Sequence, residues 1–194
     1  GFGEKTGVDF PNEISGNIAN LESGRDLEYA TASFGQGIAV TPLQMAMALA
    51  VIANGGVMMK PYIVEKITDD AGNERAFGPE KKGEIITKEA AEALAKMLIS
   101  TVRNGYENRA GVTGYFVAGK TGTAQIPLKD RRGYSQDVIH TFVGFAPAFR
   151  PKFLALIQLN RPQGNRFASN TMTPAFRDLA EFILNYYEVP PDEK

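Results

Sequence analysis

At 194 residues the chain is long enough to bury a substantial core as one domain, or most of one. Its 43% hydrophobic and 22% charged residues are ordinary globular composition, and a net charge of -1 leaves no footprint for nucleic acid or an anionic membrane surface. The absence of cysteine excludes disulfides and thiolate metal sites.

No run reaches the roughly 20 apolar residues of a membrane span; the best candidate, 39–53, is too short and contains Thr41, Pro42 and Gln44. The chain opens Gly1-Phe2-Gly3-Glu4-Lys5 without a methionine, which reads as a cleaved or excised product with room for an anchor or export signal upstream.

In chain order, the first thirty residues are rich in Gly, Asn, Ser and Pro and read mostly as loop. Thr41-Pro42-Leu43-Gln44 then spells a capping box with proline at the first helical position. The helix it opens runs to Asn54-Gly55-Gly56, and apolar residues on nearly every face predict deep burial. Residues 57–68 read as extended, 69–73 as a turn, and 74–77 as a returning strand. A second helix is predicted over 88–103, capped by Thr87, with the stripe Ala91, Leu94, Ala95, Leu98, Val102 facing inward. Three strands follow at 115–125, 139–146 and 152–160, the last two joined tightly through Pro147 to Pro151. A final helix is predicted to start at Thr173-Pro174, to carry Phe176, Leu179, Ala180, Ile183 and Tyr187 on one face, and to end at Val189-Pro190-Pro191. Strands with short antiparallel connections, flanked by helices, predict an α+β fold with helices packed on an antiparallel sheet. The polar stretches 129–136 and 161–173 are long enough to be functional loops.

The chemistry concentrates in Val117-Ala118-Gly119-Lys120-Thr121-Gly122-Thr123-Ala124-Gln125. Glycines inside a strand mark a place where something approaches the backbone closely. A cation, two hydroxyls and unobstructed N–H groups suit an anionic or acyl ligand laid along a strand edge. The bland alternative is a surface Lys-Thr-Gly tripeptide. Other blocks stand in one order with it: Gly1-Phe2-Gly3, Thr6-Gly7-Val8-Asp9 and Pro11, Ser33 to Gly37, Val40 to Gln44, Ala53 to Gly56, and Phe142-Val143-Gly144-Phe145-Ala146-Pro147.

This succession resembles the second half of the transpeptidase domain of class B penicillin-binding proteins, over nearly the whole chain. The resemblance implies an acyl-transferring wall of a serine site, with the chain (1–194) as the C-terminal portion of that domain. Lys120 would order the hydrogen bonds around a nucleophile and help bind a carboxylate. The Thr121 and Thr123 hydroxyls would hold the carboxylate of an acyl-D-Ala-D-Ala stem peptide or its β-lactam mimic, and the Thr123 N–H would supply half of an oxyanion hole. Gly122 and Gln125 complete the implied substrate-binding set. The implied partners are the peptidoglycan stem peptide, β-lactams and an upstream segment bearing the nucleophile. No cofactor, metal or nucleic acid is implied, and membrane attachment would come only through an upstream anchor, on the extracytoplasmic side.

The chain also departs from that pattern. Its serines, at 15, 23, 33, 100, 135 and 169, all lack a lysine three positions on. Ser100, with Arg103, comes nearest. Ser15-Gly16-Asn17 spells Ser-x-Asn but follows the Gly-Phe-Gly block instead of preceding it, which marks it as coincidence. Gly105-Tyr106-Glu107 stands where related sequences carry a Gly-Thr-Gly turn. His140, the only histidine, cannot make a metal site alone and reads as an ordinary strand residue. Lys129, Arg131 and Arg132 read as a solvated hairpin tip, with substrate contact as the minor alternative, and Tyr186 and Tyr187 as packing. Gln125 and the Ser33 to Gly37 block look more like class B than class A, and a β-lactamase would also need a base that activates deacylating water, which no residue here matches. A fragment with no activity of its own is the alternative of a different kind, and it would leave apolar surface uncovered on the helix after Thr41.

Overall fold

The computed structural model describes residues 1–105, 107–128, 130, 131 and 133–192. Tyr106 of the expected turn, and Lys129 and Arg132 of the basic cluster, lie outside the described residues.

Residues 1–17 run without helix or strand and are held in place by side chains. Glu13 accepts from the Thr6 hydroxyl (2.5 Å), the Thr6 N–H (2.7 Å) and the Gly7 N–H (3.1 Å). Asp9 accepts from the N–H groups of Ile63 and Val64, both at 2.7 Å. A 3-10 turn at Ala19–Ser23 and the helix α1 (Asp26–Ser33) then replace part of the expected loop. The sequence signal for α1 is faint because no side chain caps it and its apolar residues, Leu27, Tyr29, Ala30 and Ala32, form no buried stripe. Asp26 and Glu28 in its first turn do favour the positive end of a helix.

Helix α2 (Pro42–Ala53) forms as predicted. Thr41 accepts from the Gln44 N–H (3.1 Å), and the Gln44 side chain accepts from the Thr41 N–H (2.8 Å). Deep burial does not follow. Of its twelve residues only Gln44 and Val51 are buried, because the described residues cover the helix on part of its circumference.

The stretch read as one extended segment is two strands. β1 (Val57–Lys60) pairs with β4 (Glu80–Glu84), and β2 (Lys66–Thr68) pairs with β3 (Glu74–Ala76). Pro61 and the Asp9 clamp on Ile63 and Val64 separate β1 from β2. β4 escaped the sequence because Glu80-Lys81-Lys82-Gly83-Glu84 is almost wholly exposed and has no apolar alternation. Helix α3 (Lys88–Ser100), capped by Thr87, continues as a π turn over Thr101–Gly105. Ala91, Ala95, Ile99 and Val102 are buried, whereas Leu94, expected inside, is exposed.

Beyond these lies the main sheet: β5 (Ala118–Pro127), β6 (Tyr134–Ala146) and β7 (Phe153–Asn160), antiparallel and in that order. Side chains alternate between its faces. Ala118, Phe145 and Leu154 meet Ile52, Ala53, Ala95 and Ile99 from α2 and α3 on one side. Phe142, Ala146, Ala155 and Ile157 meet Met172, Phe176, Ala180 and Leu184 of α4 (Ala168–Tyr186) on the other. The product is a helix–sheet–helix sandwich, α+β as expected.

Helix α4 starts earlier than Thr173-Pro174 suggested and runs through Pro174. Its buried stripe ends on Leu184. Tyr187 is 67% exposed and Tyr186 70%, so neither packs inward. Instead they and Phe182 contact one another on the outer face.

Candidate active site

β5 is the edge strand of the sheet, and its outer side has no strand partner among the described residues. An unpaired edge offers alternate N–H and C=O groups to any extended ligand. Lys120, Thr121, Gly122, Thr123 and Gln125 lie on it opposite Val143, Phe142, Thr141, His140 and Val138. Lys120 and Gly122 belong to the α2/α3 face, and Thr121, Thr123 and Gln125 to the α4 face. The cation and the two hydroxyls therefore project from opposite faces of the strand, and what they share is its unpaired edge.

Lys120 is exposed, and its ammonium donates to the Thr121 carbonyl at 2.9 Å. Gln125 donates through Nε2 to the Ser135 carbonyl (3.2 Å), a bond within the hairpin. Thr123 is exposed, and its hydroxyl oxygen accepts the Ala168 N–H at 3.1 Å.

The glycines read as a sign of ligand approach have a nearer cause. A Cβ on Gly119 would stand 2.5 Å from the Phe142 ring, and one on Gly122 would stand 2.4 Å from the Thr141 hydroxyl. What comes close is the neighbouring strand. Gly144, opposite Gly119, is equally constrained, with Phe176 at 2.8 Å and the Ala118 carbonyl at 2.9 Å. The glycine pair makes the socket for Phe142 and Phe176, whose ring centroids are 4.6 Å apart.

Sequence reasoning missed the contacts that hold β5 in place. At its entry, the Phe116 N–H donates to Asp192 (3.0 Å), the Tyr115 hydroxyl donates to the Val189 carbonyl (2.5 Å), and Arg103 lies over the Phe116 ring. Past its far end, the Tyr134 hydroxyl accepts the Gly37 N–H at 2.9 Å, tying the Ser33 to Gly37 block to the hairpin. His140 is a strand residue, as expected, but it is wholly buried and both ring nitrogens are bonded. A carbonyl only accepts, so Nε2 carries the proton and donates to Arg166 (3.1 Å). In the neutral ring Nδ1 then accepts from the Thr171 hydroxyl (2.9 Å). Partners 26 and 31 residues away leave no local sequence signal.

The other motifs fall elsewhere. Ser15 and Asn17 serve structure: the Ser15 carbonyl accepts from Gln44 (2.7 Å), and Asn17 bridges to Ala39. Ser100 lies on α3 and accepts from Asn104. A concavity of about 300 Å³ between α2, α3 and Phe149 is lined by none of the β5 residues.

An edge strand bearing Lys-Thr-Gly-Thr, backed by a helix on one face and two on the other, defines a chain of the penicillin-recognising kind. The chain belongs to the penicillin-binding protein transpeptidase domain family, whose model matches residues 1–181. It is 36% identical, over 98% of its length, to Stage V sporulation protein D of Bacillus subtilis. It is 30% identical, over 99% of its length, to peptidoglycan D,D-transpeptidase FtsI of Escherichia coli K12. It spans 30% and 31% of those two proteins. Among solved structures, penicillin-binding protein 3 of Mycobacterium tuberculosis in complex with ampicillin matches with a TM-score of 0.90 at 29% identity. That match covers 100% of this chain and 45% of the other.

Proposed function

We propose that this chain is the C-terminal portion of a serine D,D-transpeptidase domain that cross-links peptidoglycan and is acylated by β-lactams. The observation that carries this reading is Lys120-Thr121-Gly122-Thr123 on the open edge of the sheet, in a chain that matches the family along most of its length.

A serine outside this chain attacks the carbonyl between the two D-alanines, and a neighbouring lysine takes its proton. The Thr123 N–H donates to the developing oxyanion; a fixed donor of this sort contributes about 3–4 kcal/mol to the transition state. D-Alanine leaves with a proton, and the amine of a second stem peptide then attacks the acyl ester and releases the serine. The Thr121 and Thr123 hydroxyls hold the terminal carboxylate, and Lys120 balances its charge from the other face of the strand. Gly122 and Gln125 flank the ligand along the strand. The upstream segment supplies both nucleophile and anchor, and places the enzyme on the outer side of the cell membrane. No described helix is long and apolar enough to cross a membrane.

The test is intact-mass and peptide-mapping spectrometry on the longest natural protein that contains this chain, after exposure to a penicillin. One adduct on a serine upstream of Gly1 is expected. The isolated chain should acquire none, since none of its serines has a lysine three positions on. Folded full-length protein without an adduct would overturn the reading, and an adduct within 1–194 would move the nucleophile into this chain.

A further inference from the structure

Helix α4 lacks a side-chain cap of its own: its N-cap residue is Phe167, whose side chain has no acceptor. The Ala168 N–H at its first position is capped instead by Thr123, 45 residues earlier on β5. Across the ladder from Thr123 stands His140, whose ring holds the same segment twice, at the Arg166 carbonyl and the Thr171 hydroxyl. Thr123 and His140 are thus neighbours on one face of the sheet, and between them they grip residues 166, 168 and 171. An apolar side chain would fill the His140 position without needing partners. A buried imidazole is tolerated because both nitrogens are satisfied, and this one segment satisfies both.

We propose that His140 and Thr171 are positioning residues for ligand binding by the signature strand. They hold the first turn of α4 so that its Ala168 N–H occupies the acceptor side of the Thr123 hydroxyl and turns the hydroxyl proton toward an anionic ligand at the open edge. This rests on the reading of β5 as the carboxylate-binding strand. A hydroxyl has one proton and two lone pairs. With a backbone N–H on one lone pair, the proton points away from that N–H, and Thr123 remains exposed. The positive end of a 19-residue helix polarises the oxygen and strengthens it as a donor. Release of the clasp would leave the Thr123 rotor to choose among its staggered positions and leave the N–H to water.

The experiment uses the longest natural protein that contains this chain and measures, by stopped flow, the dissociation constant and the acylation rate constant for ampicillin and for its methyl ester, which lacks the carboxylate. Misalignment of one hydrogen bond to a charged group corresponds to about a tenfold loss of affinity. His140→Phe and Thr171→Val are each expected to raise the ampicillin dissociation constant by that factor, with the acylation rate constant changed less than about twofold. Thr171→Ser, which keeps the hydroxyl, should restore wild-type binding. The ester should not distinguish wild type from any variant. Thr171→Val is isosteric and keeps the test decisive if His140→Phe does not fold. Wild-type ampicillin affinity in Thr171→Val, or equal losses for ampicillin and ester, overturns the proposal. A wild-type protein that ampicillin does not acylate overturns the transpeptidase reading itself, and the proposal with it.

Discussion

Gly119 and Lys120 are adjacent, yet each answers to a different constraint. Gly119 is set by packing: a methyl there meets the Phe142 ring at 2.5 Å and the Val143 carbonyl at 3.1 Å, and Phe142 is fully buried. Gly119→Ala is expected to cost about 1–3 kcal/mol of stability, the usual range for overpacking, read as a lower urea midpoint. An unchanged midpoint would mean the ring moves aside freely. Lys120 is exposed, and its ammonium bonds to a backbone carbonyl of its own strand. Lys120→Gln should leave stability within about 0.5 kcal/mol. It should slow β-lactam acylation of the complete protein about a hundredfold, the scale for losing one electrostatic group of a site. The opposite pattern, with stability lost and acylation kept, would make it a structural lysine. The motif thus joins residues required by the core to residues available for chemistry, and composition alone does not separate them.

At the scale of elements, helix ends do more than stop helices. Gln44 completes the α2 capping box, and its Nε2 also donates to the Glu4 and Ser15 carbonyls, both at 2.7 Å. One buried amide thereby docks the irregular N-terminal segment onto α2. Thr41→Ala should cost about 1 kcal/mol, the ordinary value of an N-cap. Gln44→Leu should cost more, because it leaves the Thr41 N–H and two carbonyls without their partner. Urea denaturation of the two variants checks the order, and equal losses would mean that water replaces the amide. The capping box was legible because its spacing is local. The α4 start was not, because its cap comes from β5, and Thr173-Pro174 carried the only local signal for a beginning.

For the whole molecule, one carboxylate folds the N-terminal segment on itself and another, beside the Gln44 amide, ties it to the chain beyond. Val64 and Ile63 N–H groups hold Asp9 below its usual value of 3.8, with Val64 the larger cause. The Thr6 hydroxyl, and then the Thr6 and Gly7 N–H groups, hold Glu13 below 4.5. A group whose folded pKa is depressed adds stability above its unfolded pKa and loses it as pH falls through the folded value. Both clamps should therefore be complete at neutral pH and release only as pH falls below the ordinary values of the two carboxyls, 3.8 for Asp9 and 4.5 for Glu13, the segment 1–17 loosening before the sheet. The Ile63 and Val64 amide resonances would report this in an NMR titration; a midpoint at or above 3.8 would show that Asp9 gains nothing from the fold. The sandwich itself depends on Phe142, Phe145 and Phe176, all fully buried and untouched by this titration.

The sequence by itself determined the parts whose causes are local. These are the α+β class, the capped helices α2 and α3, the three antiparallel strands, and the Lys-Thr-Gly-Thr motif whose order among the other blocks pointed to the family. Periodicity, capping and turn chemistry act over a few residues, so they can be read along the chain. Tertiary structure alone decided that Gly119 and Gly144 make room for Phe142 and Phe176. It alone decided that β4 exists, that α4 begins at Ala168, and that the lone histidine ties β6 to α4 beside Thr123. Each of these depends on side chains brought together across tens of residues, where the cost of a buried unpaired group or an overfilled core selects the partner.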